Sequence, residues 1–240
     1  MKLQLMTWPE VEAYLQRSKT IVLPIGSTEQ HGPTGMIGTD ALCPEIVAEG
    51  MAEQRELIIG PTLSIGMAQH HLAFAGSISL RPSTLIQVVV DVVESLAGHG
   101  FKQIVFLNGH GGNIATVQAA FSEVWASASF GGTDSGLDLK LINWFQGPRV
   151  VRLTRELFGD DDGSHATPSE ISLVLSAYAE AVRNVPLEPE KPPTGPIRDA
   201  RDFRRQHPDG RMGARSDLAT AESGHRLREA AVADALEILG

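Results

Sequence analysis

A chain of 240 residues, 42% hydrophobic and 20% charged, carries enough apolar material for a sizeable core, which excludes a largely disordered or fibrous polypeptide. Its formal net charge of -9 argues against a nucleic-acid partner, because phosphate binding relies on clustered Lys and Arg. The single cysteine, Cys43, rules out an intramolecular disulfide and any thiolate cluster, so metal ligands would have to be His and carboxylates.

Met1 to Leu5 lead into Thr7-Trp8-Pro9-Glu10 without an apolar signal region, and no run nears the roughly 18 apolar residues of a membrane span. A cytoplasmic protein with no membrane partner is expected. Thr7 and Glu10 form a capping box, and Val11, Tyr14 and Leu15 share a helical face, so a short helix opens the chain. Thr20 to Ile25 is a compact apolar run closed by Gly26, as in a strand buried on both faces, with Pro24 tolerated near its end. A helix is predicted over Ala41 to Gln54, a strand over Leu57 to Gly60, and a helix over Ser83 to Ala97 with Gly98 and Gly100 as stops. Then come a strand over Gln103 to Leu107, a helix over Ile114 to Ala128 and a strand over Leu137 to Phe145. Thr167-Pro168-Ser169-Glu170 opens another helix with Pro at its first position, and Ala219 to Leu239 closes the chain as a helix. Between them, Pro186 to Pro196 reads as a surface connection, and Arg198 to Arg215, which mixes Arg with Asp, as a solvated loop. Alternating strands and helices predict a mostly parallel sheet with helices on both faces, within one domain spanning 1-240, and ligands at the carboxyl ends of the strands.

Chemistry-bearing residues gather after those strands. In Gly26-Ser-Thr-Glu29-Gln-His31-Gly-Pro33, the carboxylate and imidazole are two residues apart on one side of an extended segment. Asp40 follows beyond a Gly- and Pro-bearing loop, where it can bridge two cations or cap the helix beginning near Ala41. Asn108-Gly-His110-Gly-Gly-Asn113 frames one His with glycines, so that backbone approaches a ligand closely; the alternative is a structural His with Asn113 as the next N-cap. Glu170 is either a ligand or the capping partner of Thr167. His70 and His71 lie in a turn-like stretch, touching substrate or standing exposed, whereas His99, His207 and His225 follow no strand and are expected at the surface. Two imidazoles and three carboxylates suit zinc, manganese or ferrous iron. A paired site would lower the pKa of bound water toward roughly 7 and polarise a carbonyl, with no need of a Ser or Cys nucleophile. No Gly-x-Ser-x-Gly elbow is present.

The sequence resembles the creatininase (creatinine amidohydrolase) family from near Thr20 to the last helix. The resemblance is carried by Gly26 to Pro33 with Gly38-Thr39-Asp40, His71 to Leu80, Asn108 to Asn113, His165 to Ser172, and the tail Ala219 to Gly224. It implies a three-layer α/β/α sandwich around a mostly parallel sheet, two divalent ions per subunit, and a homo-oligomer such as a hexamer. By that resemblance Glu29, Asp40 and His110 would hold one ion, His31, Asp40 and a further Glu the other, and His165 would protonate the leaving nitrogen. In creatinine-cleaving members the further Glu lies two positions after the loop His; that position is Gly112 here, and Glu170 is its natural replacement. Substrate contacts are expected from His71, Gly111, Gly112 and Trp144. Thr34-Gly35-Met36 departs from the family's His-Leu-Pro, and Gly159-Asp-Asp-Asp-Gly163 lacks a Trp to close over creatinine. The expected activity is therefore cleavage of a small cyclic or linear amide, with creatinine itself not the first choice. The alternatives are a metallopeptidase, a formamide deformylase and a non-catalytic metal-binding regulator.

Overall fold

The computed structural model describes residues 1–240, in which four strands make one parallel sheet. They are β1 (Thr20–Ile25), β2 (Ile58–Ile59), β3 (Gln103–Asn108) and β4 (Asp138–Asn143), in the order β2-β1-β3-β4. Pairing runs from Thr20 with Gln103 to Ile25 with Asn108, and from Gln103 with Asp138 to Asn108 with Asn143, so three strands end level with one another. Their carboxyl ends open onto a single region.

Successive strand side chains point to opposite faces, and both faces are apolar. Ile21, Leu23 and Ile25 of β1 join Ile104 and Phe106 of β3 in one core. There they meet α1 (Trp8–Leu15), α3 (Pro82–Gly98) and α4 (Asn113–Phe130). Val22, Val105 and Leu107 face a second core built with α2 (Thr39–Gln54), α5 (Pro148–Leu157), α6 (Pro168–Ala177) and α8 (Ala221–Leu239). The result is the α/β/α arrangement that the alternating elements predicted. No helix is long and apolar enough to cross a membrane.

Several details depart from expectation. The strand read over Leu57 to Gly60 is reduced to two residues at the sheet edge, and that read over Leu137 to Phe145 stops at Asn143, after which Trp144–Gln146 curl into a 3-10 turn. Helix α5 was not anticipated. The stretch from Arg198 to Arg215 is not a solvated loop: it holds α7 (Ala200–Gln206), capped by the Asp199 side chain accepting from the Arg201 and Asp202 N–H groups. Phe203 is buried there with Phe74 and Met212, and Arg211 is fully buried. The Arg211 guanidinium is accommodated because it meets the Asp209 carboxylate and the main-chain carbonyls of Pro189, Glu190 and Ala214. Those bonds also pin the otherwise exposed Pro186 to Pro196 connection. His207, expected at the surface, is buried against Phe203 with ring centroids 4.9 Å apart, whereas His99 and His225 are exposed.

Candidate metal centre

Glu29 and His31 leave the end of β1, His110 leaves the end of β3, and Asp40 lies on the first turn of α2. His165 and Glu170 arrive from the start of α6, and His71 from a 3-10 turn between β2 and α3. These seven groups therefore meet at the carboxyl ends of the strands. The helix bearing Asp40 comes unusually close to the two strand-end loops: a Cβ on Gly26 or on Gly109 would sit 2.0 Å from the Asp40 carbonyl oxygen. Only glycine allows that approach.

Asp40 does not cap its helix. The N-cap is Gly38, without a side-chain bond, and the Asp40 carboxylate turns inward. Its Oδ1 lies 3.2 Å from His31 Nε2 and its Oδ2 2.9 Å from His110 Nδ1. His110 Nε2 is 3.4 Å from Glu29 Oε2, so this imidazole stands between the two carboxylates. His31 Nδ1 is 3.1 Å from the Glu29 carbonyl oxygen, which can only accept, so the lone pair His31 offers is on Nε2. Glu170 Oε1 lies 3.8 Å from that nitrogen. Two trios with ligand atoms within 4.8 Å of one another result, Glu29–Asp40–His110 and His31–Asp40–Glu170, with Asp40 common to both. A third, Glu29–His31–His165, overlaps them.

Neither oxygen of Glu29, nor Oδ2 of Asp40, accepts a well-aligned hydrogen bond although all are buried. Carboxylate oxygens in that position are costly unless a cation meets them, and imidazoles with carboxylates suit a first-row divalent ion. The residues present thus fit such an ion.

Glu170 turns out to do two things. Its Oε1 accepts from the Thr167 N–H at 2.6 Å while its own N–H donates to Thr167 Oγ1 at 3.2 Å, a complete capping box, and the same carboxylate faces His31. Gly112, by contrast, has no room for a carboxylate: a Cβ there would lie 2.3 Å from His110 Nε2 and 2.6 Å from the Met67 carbonyl that this nitrogen contacts. Gly111 has open space around it.

A cavity of about 1200 Å³ extends from the cluster, and Gly111, Gly112, His71 and Trp144 all line it. Of the two readings of His70 and His71 the exposed one fails, since both are buried, and reasoning from sequence missed the supporting parts of Asn113 and Asn108. His70 is buried in the cavity wall with Nδ1 unpartnered, and the Trp144 indole Nε1 is likewise buried and unpartnered. Asn113 caps nothing; it donates to the Gly26 carbonyl and accepts from the Met67 N–H, tying β1 to the loop before α3. Asn108 brackets His110, accepting from its N–H and donating to its carbonyl. The Asn-x-His-x-x-Asn spacing was the only available hint of this.

Mutual charge shapes the titration of the cluster. Burial opposes charge on His31, but Asp40 and Glu170 outweigh it and raise its pKa to about 10; burial opposes charge on His110, and Glu29 and Asp40 raise it to about 9. Burial pushes the Glu29 carboxyl up, yet His110 and His71 bring it down to about 2. Burial lifts the Glu170 carboxyl to about 7 against the pull of His31, and burial with the neighbouring imidazoles drives His165 well below its ordinary value. A histidine raised on folding contributes stability fully present below its unfolded pKa, and that contribution is lost as pH climbs through the folded value. Chelated protein is therefore expected to lose melting temperature from about pH 6.5, the unfolded value, up to about pH 10. Metal-loaded protein should lose less, because ions take the place of the protons. Thermal melts in pH steps with and without chelator measure this; a chelated sample whose melting temperature rises across that window contradicts the proton-loaded cluster.

Comparison with known proteins adds to the geometry. The family model described as creatinine amidohydrolase matches residues 4–239. A creatinine amidohydrolase from Pseudomonas putida is 29% identical over 186 residues, 74% of this chain and 72% of that protein. A mycofactocin precursor peptide peptidase from Mycolicibacterium smegmatis is 34% identical over 122 residues, a match spanning 48% of this chain and 47% of the other. A crystal structure of creatinine amidohydrolase superposes with a TM-score of 0.87 at 24% identity, covering 100% of this chain and 96% of that one, a likeness of fold.

Proposed function

The chain belongs to the creatininase family, and from that premise we propose that it is a two-metal amidohydrolase cleaving a carbon–nitrogen bond in a small cyclic or linear amide. The observation that carries this reading is the pair of trios sharing Asp40, with buried carboxylate oxygens that no protein donor satisfies. Glu29, Asp40 and His110 would hold one ion and His31, Asp40 and Glu170 the other, of the zinc, manganese or iron class. Bound there, divalent ions supply water of lowered pKa and polarisation of the scissile carbonyl.

The remaining work falls to side chains. His165 Nδ1 lies 3.9 Å from Glu29 Oε1, and its neutral ring is suited to accept a proton from the attacking water and deliver it to the leaving nitrogen. The Trp144 Nε1–H, buried and without a partner, is placed to donate to a substrate acceptor, and His70 Nδ1 to complement it. His71, Gly111 and Gly112 complete the wall. Creatinine is not the first choice of substrate, because the family resemblance implies a Trp closing over it from the stretch before His165, and the turn at Gly159–Asp161 brings Asp160 to the cavity instead. The chain is further read as one domain acting in the cytoplasm. Exposed Ile37, Leu72 and Ile78 on nearby loops support self-association as a homo-oligomer.

The cavity's volume, about 1200 Å³, also admits the end of an extended peptide, which keeps a metallopeptidase as the second reading. Chelation is expected to abolish turnover, and readdition of zinc, manganese or iron to restore it. Turnover unchanged after verified metal loss refutes the mechanism. Over a panel of lactams, formamides and dipeptides, cleavage of amides without peptides supports the first reading and the reverse supports the second. No turnover at full occupancy across the panel leaves a non-catalytic metal-binding protein.

A further inference from the structure

We infer that Gln30 is a positioning residue that fixes the tautomers of both His71 and His165, one through its side chain and the other through its main chain. What those tautomers accomplish rests on the hydrolase reading above; which tautomers they are does not.

Gln30 is buried, with its amide beside a ring nitrogen of each imidazole. Its Oε1 accepts from the Gly32 N–H at 2.8 Å, which identifies the oxygen end of the amide and leaves the NH2 group facing the imidazoles. That nitrogen has three neighbours: His71 Nδ1 at 2.9 Å, His165 Nε2 at 2.9 Å and the Gly210 carbonyl at 3.0 Å. Two hydrogens cannot serve three acceptors. The main-chain carbonyl of Gln30 resolves the choice, because it lies 2.8 Å from His165 Nε2 and a carbonyl can only accept. The proton of His165 is therefore on Nε2, and that nitrogen takes nothing from the amide. Both amide hydrogens are left for His71 Nδ1 and Gly210. His71 then carries its lone pair on Nδ1 and its N–H on Nε2, 3.1 Å from Glu29 Oε1.

Both outcomes serve the site. The His71 N–H faces one oxygen of Glu29, short of a well-aligned hydrogen bond, and the other oxygen lies toward His110. The lone pair of His165 is on Nδ1, the nitrogen nearer Glu29 and the reaction cavity. The rings cannot turn away, since they stack on each other at 4.3 Å and meet Phe203 edge-on. Gln30 is equally confined, because a Cβ on Gly210 would lie 1.8 Å from its Oε1.

Long-range 1H–15N spectra of zinc-loaded, [15N]histidine-labelled protein read the tautomers directly, with His71→Asn and His165→Asn for assignment. Expected are a pyridine-type Nδ1 with a pyrrole-type Nε2 on His71, and the same pattern on His165. Gln30→Glu keeps the shape but offers only acceptors. It should convert His71 Nδ1 to the pyrrole type and lower kcat by roughly 10- to 100-fold at unchanged zinc content, the usual effect of losing a residue that orients a site from behind. A proton on His71 Nδ1 or a lone pair on His165 Nε2 in the unmutated protein overturns the inference, as does an unchanged His71 spectrum in Gln30→Glu. Should Gln30→Glu fail to fold, the unmutated spectrum decides alone. An inactive protein with the expected spectrum removes the hydrolase reading and leaves the tautomers standing.

Discussion

Asp40→Ala is expected to leave the protein without bound metal and to lower turnover by more than roughly 10³-fold, beyond what loss of one preorganised electrostatic contact costs. Asp40 is the member common to both trios, with one oxygen beside His31 and the other beside His110. Removing it leaves each prospective ion with two protein ligands. His31→Ala, by contrast, keeps Glu29, Asp40 and His110 together and should retain one ion per subunit. Elemental analysis of the two variants separates the cases: near zero for Asp40→Ala and near one for His31→Ala. The fold should survive, because the Asp40 side chain caps nothing and leaves α2 with its Gly38 N-cap. Two ions retained in Asp40→Ala would remove it from the bridging position.

Glu170→Gln is the second large effect, and the structure sharpens what it separates. The carboxylate completes the capping box and also faces His31 Nε2 at 3.8 Å. Glutamine retains an Oε1 that accepts from the Thr167 N–H, so the cap should persist. What is lost is the negative charge beside His31. One ion per subunit is expected to disappear and turnover to fall roughly 10²–10³-fold, while the melting temperature stays close to the parent value after allowance for the stability that ion binding adds. Thr167→Ala is the control: it should cost about 1 kcal/mol of helix stability and leave the metal content intact. Full occupancy with near-normal turnover in Glu170→Gln would restrict Glu170 to capping.

The sheet and the location of the site were legible in the residues themselves. Ile21, Leu23 and Ile25 alternate with Val22 because a strand's period is two, and both sets are apolar because helices cover both faces. Glu29, His31 and His110 follow β1 and β3, and a parallel sheet brings the carboxyl ends of its strands together whatever the loops contain. The stretch from Arg198 to Arg215 was misread for an equally physical reason. A charge-rich sequence looks solvated until its charges find partners, and the partners of Arg211 are carbonyls at Pro189, Glu190 and Ala214, which no local pattern announces.

By itself, then, the sequence determined the layered α/β/α architecture and the strand ends at which ligand-type residues gather, since these follow from local periodicity and from neighbours along the chain. Only the tertiary structure decided between the competing uses of a residue. Asp40 points inward and caps nothing, Glu170 caps and faces the cluster at once, and Gln30, in the midst of Glu29-Gln30-His31, reaches rings contributed by two distant segments. Whether a carboxylate caps or binds, and which nitrogen of an imidazole carries its proton, depends on which atoms lie within about 3 Å of it. Those atoms come from residues far apart in the chain.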